Sequence, residues 1–161
     1  MAVDQRKISQ ANVVFSTLCT ALDNKKWAYN RDNENLIVRT SAVGDDLSMK
    51  LFIKVDAERE LMYLKSPMPF KVCQEKIHDV ETALSIANWS MLNGCFEMDR
   101  HDGYCGFKLV VVFMESLISE SVCKYLINMS CNMVDKYNDK LYAVAQGRMT
   151  IEEFEKFSKD E

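Results

Sequence analysis

Residues 47–55, LSMKLFIKV, place an apolar side chain at every second position: Leu47, Met49, Leu51, Ile53 and Val55. A period of two puts all five on one face of a β-strand, so this run must be half-buried against a core. Two similar runs flank it, LIVRT (36–40) and ELMYLKS (60–66), separated by the polar turns AVGDD and DAER. Short hairpins that set Val43 opposite Asp46 and Asp56 opposite Arg59 bring Leu36, Val38 and Thr40 onto the face of Leu51 and Ile53. Met62 and Leu64 join them, and the agreement of two independent turns supports this register. Ile37, Phe52, Leu61 and Tyr63 then fall on the opposite face.

Helical periodicity brackets these strands. Over residues 4–23, Ile8, Ala11, Phe15, Leu18 and Leu22 recur at spacings of three and four, with Asp4 as the expected N-cap. DNKKWAYNRDNEN follows as a polar connection anchored by Trp27 and Tyr29. After ELMYLKS, the two prolines of SPMPFK are expected to stop the strand. A helix over about 72–92 carries the stripe Cys73, Ile77, Val80, Leu84, Ala87 and Met91, with Ile86 and Trp89 roughly on its far side, and ends at Asn93-Gly94.

The stretch CFEMDRHDGYCGF then packs three acids, a histidine and two cysteines into thirteen residues. Metal or acid–base chemistry would need these groups buried or charge-paired. Asp, His and Gly are also the residues of a sharp turn. Placing Asp99 opposite Tyr104 sets Phe96 against Phe107 and Met98 against Cys105, as a hairpin of strands 95–99 and 104–114 requires. A turn is therefore the expectation. A long helix over about 119–146 follows, capped by Ser119, with Val122, Leu126, Met129, Met133, Tyr137, Leu141 and Val144 facing the core. Gly147 stops it, and Thr150 with Glu153 forms a capping box for a last short helix through Phe154 and Phe157.

The order α-βββ-α-ββ-α-α implies one α+β domain over residues 1–161, with its core about 4–157: a single antiparallel five-stranded sheet packed with helices. The chain's 161 residues and net charge of −4 leave no room for a second core and no basic footprint for nucleic acid. No apolar run is long enough to cross a membrane, and MAVDQRKISQ lacks a signal peptide's apolar core, so a cytoplasmic protein is expected. The six cysteines form no CxxC pair, several occupy apolar stripes, and they are expected to be reduced and structural; the ten methionines are expected to fill the core. Neither histidine, His78 nor His101, belongs to a metal-ligand pattern, and no nucleotide-binding or nucleophile motif is present. No catalytic residue, metal or cofactor is assigned.

One feature is unusual. Ile37, Phe52, Leu61 and Tyr63, with Val110, Val112 and Met114 from the last strand, make the sheet face opposite the inferred core apolar. Such a face is normally polar. Either the protein's own helices cover it, or it is a candidate dimer or partner interface. Ile86 and Trp89 are a second candidate.

IANWSMLNGCFEMDRHDGYCGFKLVVVF, followed by a long helix and KYNDKLYAVAQGRMTIEEF, resembles the YbjN family. The matching positions are Asn88, Gly94, Phe96, Asp99, Gly103, Gly147 and Glu152-Glu153; LDNKKWAYNRDNENLIVR matches more loosely. Asn138-Asp139 stands where the family often has proline. The resemblance covers about 10–157, most closely from residue 84. It implies a type III secretion chaperone-like fold, a bacterial homodimer, no catalytic residues, and a role in binding protein segments or regulating a pathway. The expectation is a non-enzymatic, chaperone-like interaction protein that binds a protein partner or client. The rivals are a small-ligand binder or enzyme with an unrecognised pocket, and a structural subunit of an assembly.

Overall fold

Asp4 opens the first helix by accepting a hydrogen bond from the Arg6 N–H at 3.0 Å. The computed structural model describes residues 4–159. Its elements are α1 (Gln5–Asn24), β1 (Tyr29–Asp32), β2 (Ile37–Val43), β3 (Ser48–Asp56), β4 (Leu61–Lys71), a 3₁₀ turn (Gln74–Lys76), α2 (Ile77–Trp89), β5 (Cys95–Asp99), β6 (Tyr104–Val112), α3 (Glu120–Ala145) and α4 (Ile151–Lys159). The strands form one antiparallel sheet in the order β1-β2-β3-β4-β6-β5.

Helices α1 and α3 pack against one another and over β3, β4 and β6. Between them and the sheet lies the core, with Leu18 and Leu22 of α1, Leu51 and Ile53 of β3, Leu64 of β4, Leu109 of β6 and Ile127 and Leu141 of α3 all buried. α2 lies against β5, and α4 docks on α2 and α3. Phe154 of α4 is fully buried beside Tyr137 and Phe157, and Tyr137 in turn meets Phe96 edge-on. The Thr150–Glu153 capping box forms as expected, with both reciprocal hydrogen bonds present.

The sheet has six strands, not five. Tyr29–Asp32, expected to be a polar connection, pairs with Ile37–Thr40 as an edge strand. The turn between them is built by Asp32, whose carboxylate accepts from the Asn35 N–H at 3.0 Å and from its side-chain amide at 2.9 Å. Leu36 completes it at φ 53°.

β4 also runs through both prolines to Lys71. Its pairing with β3 ends at Lys65, so Pro67 and Pro69 stand where, among the described residues, β4 is flanked by β6 alone. A proline lacking its N–H is tolerated on such a one-sided segment, and the register shift between Pro67 and Lys71 takes up the misfit.

Both early hairpins differ from the expected register by two residues: Val43 pairs with Ser48, and Asp56 with Leu61. In the second, the Asp56 carboxylate accepts from the Arg59 N–H and Glu60 takes φ 52°, which makes a longer turn than a two-residue loop. A slip of two leaves every side chain on its expected face. The β5–β6 register agrees residue for residue: Phe96 opposite Phe107, Met98 opposite Cys105, Asp99 opposite Tyr104.

Three helical details change. Cys73 is exposed ahead of α2, which starts at Ile77. Val122 is exposed, because the α3 stripe begins one residue later, at Cys123 and Ile127. α2 ends at Trp89 with Ser90 as its C-cap, so Gly94 (φ 82°) serves the turn into β5 rather than the cap.

Candidate partner-binding face

All four helices lie on one side of the sheet, and the strand alternation sorts the rest. On β3, Met49, Leu51, Ile53 and Val55 are buried beneath the helices, while Lys50, Phe52 and Lys54 point the other way. On β4 the outward set is Leu61, Tyr63 and Lys65; on β6 it is Lys108, Val110 and Val112.

Cross-strand pairing arranges these side chains as a checkerboard over β2, β3 and β4, and β6 extends each row with a like neighbour. One row reads Ile37, Lys54, Tyr63, Val110; the next reads Arg39, Phe52, Lys65, Lys108. The Phe52 and Tyr63 ring centroids lie 6.3 Å apart, and the Arg39 guanidinium sits over the Phe52 ring at 5.5 Å. Interleaved lysine and arginine stems flank the rings, which are half-buried although no helix covers them. Ile37 is 9% exposed. The face is less bare than apolar alternation alone predicts. Val110 and Val112 remain uncovered, at 41% and 53% exposure.

Glu97 joins this face from β5. It accepts a hydrogen bond from Lys65 at 3.0 Å and a second, short one from Lys108. Burial pushes its carboxyl up, but the bonds from Lys108 and Lys65 outweigh that, and its pKa lies below the usual carboxylate range. The same pair raises the Lys108 ammonium.

The remaining candidates lie elsewhere. Met114 is not on the sheet: β6 ends at Val112, and Met114 lines an open cleft with Asp4, Lys7 and Glu60 at the start of α1. Ile86 is half-buried against the core, whereas Trp89, on the last turn of α2, is 93% exposed. The cations Arg39, Lys50, Lys54, Lys65 and Lys108 escaped notice as site residues. The signal was present, since the alternation that directs Phe52 and Tyr63 outward directs them outward too.

The acid-rich hairpin is used up in making its turn. The Asp99 carboxylate accepts from the His101 N–H at 2.9 Å, and that of Asp102 from the Tyr104 N–H at 2.8 Å. Gly103 takes φ 69° and its carbonyl accepts from the Val72 N–H at 2.9 Å. Among the described residues, no group of three His, Cys, Asp or Glu side chains could hold a metal ion. Burial pushes the Cys105 thiol up to about 12, and those of Cys123 and Cys131 to about 11, so these three sulfurs stay protonated near neutrality. An internal cavity lined by Leu18, Ile53, Leu64 and Ile127 has a volume of about 10 Å³, barely that of one water molecule. Among the described residues, no helix is long and apolar enough to cross a membrane.

No family model matches the chain, and no curated protein matches it. Its fold is similar to the crystal structure of YbjN from E. coli, described as a candidate transcription regulator. The two superpose with a TM-score of 0.58 at 13% sequence identity, over 83% of this chain and 92% of that one. The chain therefore has a YbjN-like fold.

Proposed function

We propose that this protein is a non-enzymatic interaction module, chaperone-like or regulatory, that binds a protein partner on its open sheet face. The observation that carries this reading is the one-sidedness of the fold. Helices α1, α2 and α3 pack on one face with α4 docked on α2 and α3, and the other face presents Phe52, Tyr63, Val110 and Val112 with no helix over them among the described residues. Partly apolar faces of this kind mark interaction surfaces. A regulatory role also accords with the description of the YbjN neighbour.

Site-specific photocrosslinking tests it. A crosslinker at Tyr63 or Val112, compared with one at Glu152 on α4, should capture the same protein repeatedly from the open face alone. Phe52→Asp should abolish that capture. Equal capture from Glu152, or capture unaffected by Phe52→Asp, would overturn the reading.

One further observation favours a homodimer as a second reading. Trp89 and Leu92 are almost wholly exposed at the end of α2, and tryptophan is enriched at interface anchor points. Sedimentation of the parent and of Trp89→Asp decides it: a dimer that the substitution converts to monomer supports a contact there, and a monomeric parent sinks it.

A further inference from the structure

The open face has a charge that the chain as a whole does not. The protein carries 24 acidic and 20 basic residues, yet the inner strands β2, β3, β4 and β6 direct Arg39, Lys50, Lys54, Lys65 and Lys108 outward on this one side. The carboxylates sharing the face lie at its borders and are engaged locally. Asp32 is bound in the Asn35 turn, Asp99 in the His101 turn, and Asp56 with Arg59. Glu97 is shared between Lys65 and Lys108. Among the described residues, no ion pair engages Lys50 or Lys54, and Arg39 meets the Asp32 carboxylate only through a longer-range attraction that, after the Asn35 hydrogen bonds, helps lower that carboxyl's pKa.

We infer, resting on the reading of this face as the docking surface, that its occupant is an acidic amphipathic protein segment, one in which Asp or Glu alternates with apolar side chains. The checkerboard supplies both halves of the match. Along β3 cation and apolar contact alternate at two-residue steps as Lys50, Phe52, Lys54, and along β4 the apolar pair Leu61 and Tyr63 is followed by Lys65. Apolar partner side chains would lie against Tyr63, Val110 and Val112, and carboxylates beside Lys50, Lys54 and Arg39.

Charge and surface shape decide between this occupant and two others. A second copy laid face to face would bring the cations at the middle of the face, Lys50, Lys54 and Arg39, against their like-charged counterparts, which selects against self-pairing. Single-stranded nucleic acid could stack on Phe52 and Tyr63, but these are the two rings that the cross-strand rows bring together, and one of them is already covered by the Arg39 guanidinium. Leu61, Val110 and Val112 also offer branched aliphatic surface rather than stacking planes.

The test is fluorescence anisotropy with the full chain and three labelled probes. These are a peptide alternating Glu with Leu and Phe, the same peptide with Gln for Glu, and an oligothymidylate. The Glu peptide should bind about tenfold tighter than the Gln peptide, and added salt should narrow the difference. Lys54→Glu should weaken it about fivefold, while Lys156→Glu on α4, with the same change in net charge, should not. Circular dichroism verifies that both variants are folded. Equal affinity for the two peptides, equal weakening by the two variants, or tighter binding of the oligothymidylate would each overturn the inference. If the Gln peptide binds as well as the Glu peptide and Val112→Asp releases both, the acidic preference fails and the docking face stands. If neither peptide binds, the inference fails, and the photocrosslinking result alone decides whether the docking face falls with it.

Discussion

The side chain of Asn88 is hydrogen-bonded to the backbone of Phe96 in both directions. The Phe96 N–H donates to Oδ1 at 2.7 Å, and the Asn88 Nδ2 donates to the Phe96 carbonyl at 3.0 Å. An amide side chain on α2 thus takes the place of a neighbouring strand at the outer edge of β5. It fastens the helix to the sheet and blocks that edge against pairing with another chain.

Asn88→Ala leaves both Phe96 backbone groups without this partner in a half-buried position. Each unsatisfied group costs about 1 kcal/mol or more, so the variant should lose about 2 kcal/mol in urea denaturation. Asn88→Asp keeps the acceptor and loses the donor, and should fall between the two. A loss below about 0.5 kcal/mol for Asn88→Ala would mean that water replaces the amide without penalty.

Gly103 is the tightest point of the β5–β6 hairpin. It combines φ 69° with a position where a methyl group would overlap the Val72 carbonyl. Gly103→Ala therefore adds backbone strain and a clash with main chain that cannot rotate away. The expected destabilisation is about 3 kcal/mol, seen as a lowered Tm by circular dichroism.

Phe154 attaches α4 to the rest of the molecule. It is fully buried against Tyr137 and Phe157. Truncation to Ala should cost about 3–5 kcal/mol. Hydrogen exchange should show α4 losing its protection before the sheet does, because nine residues without their aromatic anchor cannot sustain a helix alone.

Side-chain periodicity made most of this architecture legible, since period two and period 3.6 each report a buried face. Face assignments in β2, β3 and β4 followed from Leu51, Ile53, Met62 and Leu64 even though both hairpin turns are longer than expected. What escaped was set by local backbone chemistry and by neighbours. β1 has the composition of a loop and is a strand because Asp32 and Asn35 build a turn that folds it back on β2. β4 continues through Pro67 and Pro69 because β3 has already left its side, a fact of tertiary pairing. The open face is legible as a run of apolar positions, whereas no motif marks the cations interleaved with them. Only the cross-strand register places Lys54 between Ile37 and Tyr63.

The two faces of β4 and β6 should respond oppositely to substitution. Leu64 is buried beneath the helices, and Leu64→Ala should cost about 2–5 kcal/mol. Val112 lies in solvent on the other side, and Val112→Asp should change stability by about 0.5 kcal/mol or less. Chemical denaturation of the two variants compares them directly. A large loss for Val112→Asp would show that this face is covered in solution, and a dimeric parent that Val112→Asp but not Trp89→Asp converts to monomer would then identify a second copy as the cover.

Glu97 links that face to pH. Its folded pKa lies below the ordinary value because Lys65 and Lys108 favour the ionised form over the opposing effect of burial. A depressed carboxylate contributes stability that is fully present above its unfolded pKa and is lost as pH falls through the folded one. The parent should therefore lose stability on acidification below about pH 4.5, the reference for an unperturbed glutamate. Glu97→Gln removes that carboxylate and its two ion pairs. At neutral pH it should be less stable than the parent by about 1 kcal/mol, since partly exposed pairs contribute modestly. As the pH falls through the carboxyl's lowered folded pKa the two should converge, because the parent's carboxyl then becomes protonated. Urea titrations of both proteins across this range measure the gap, and a gap that stays constant with pH would rule out the carboxylate as its source. The same substitution frees Lys65 and Lys108 from their shared counter-ion. Affinity for an acidic peptide should accordingly rise as folding stability falls, an opposition expected only if these lysines belong to the binding face.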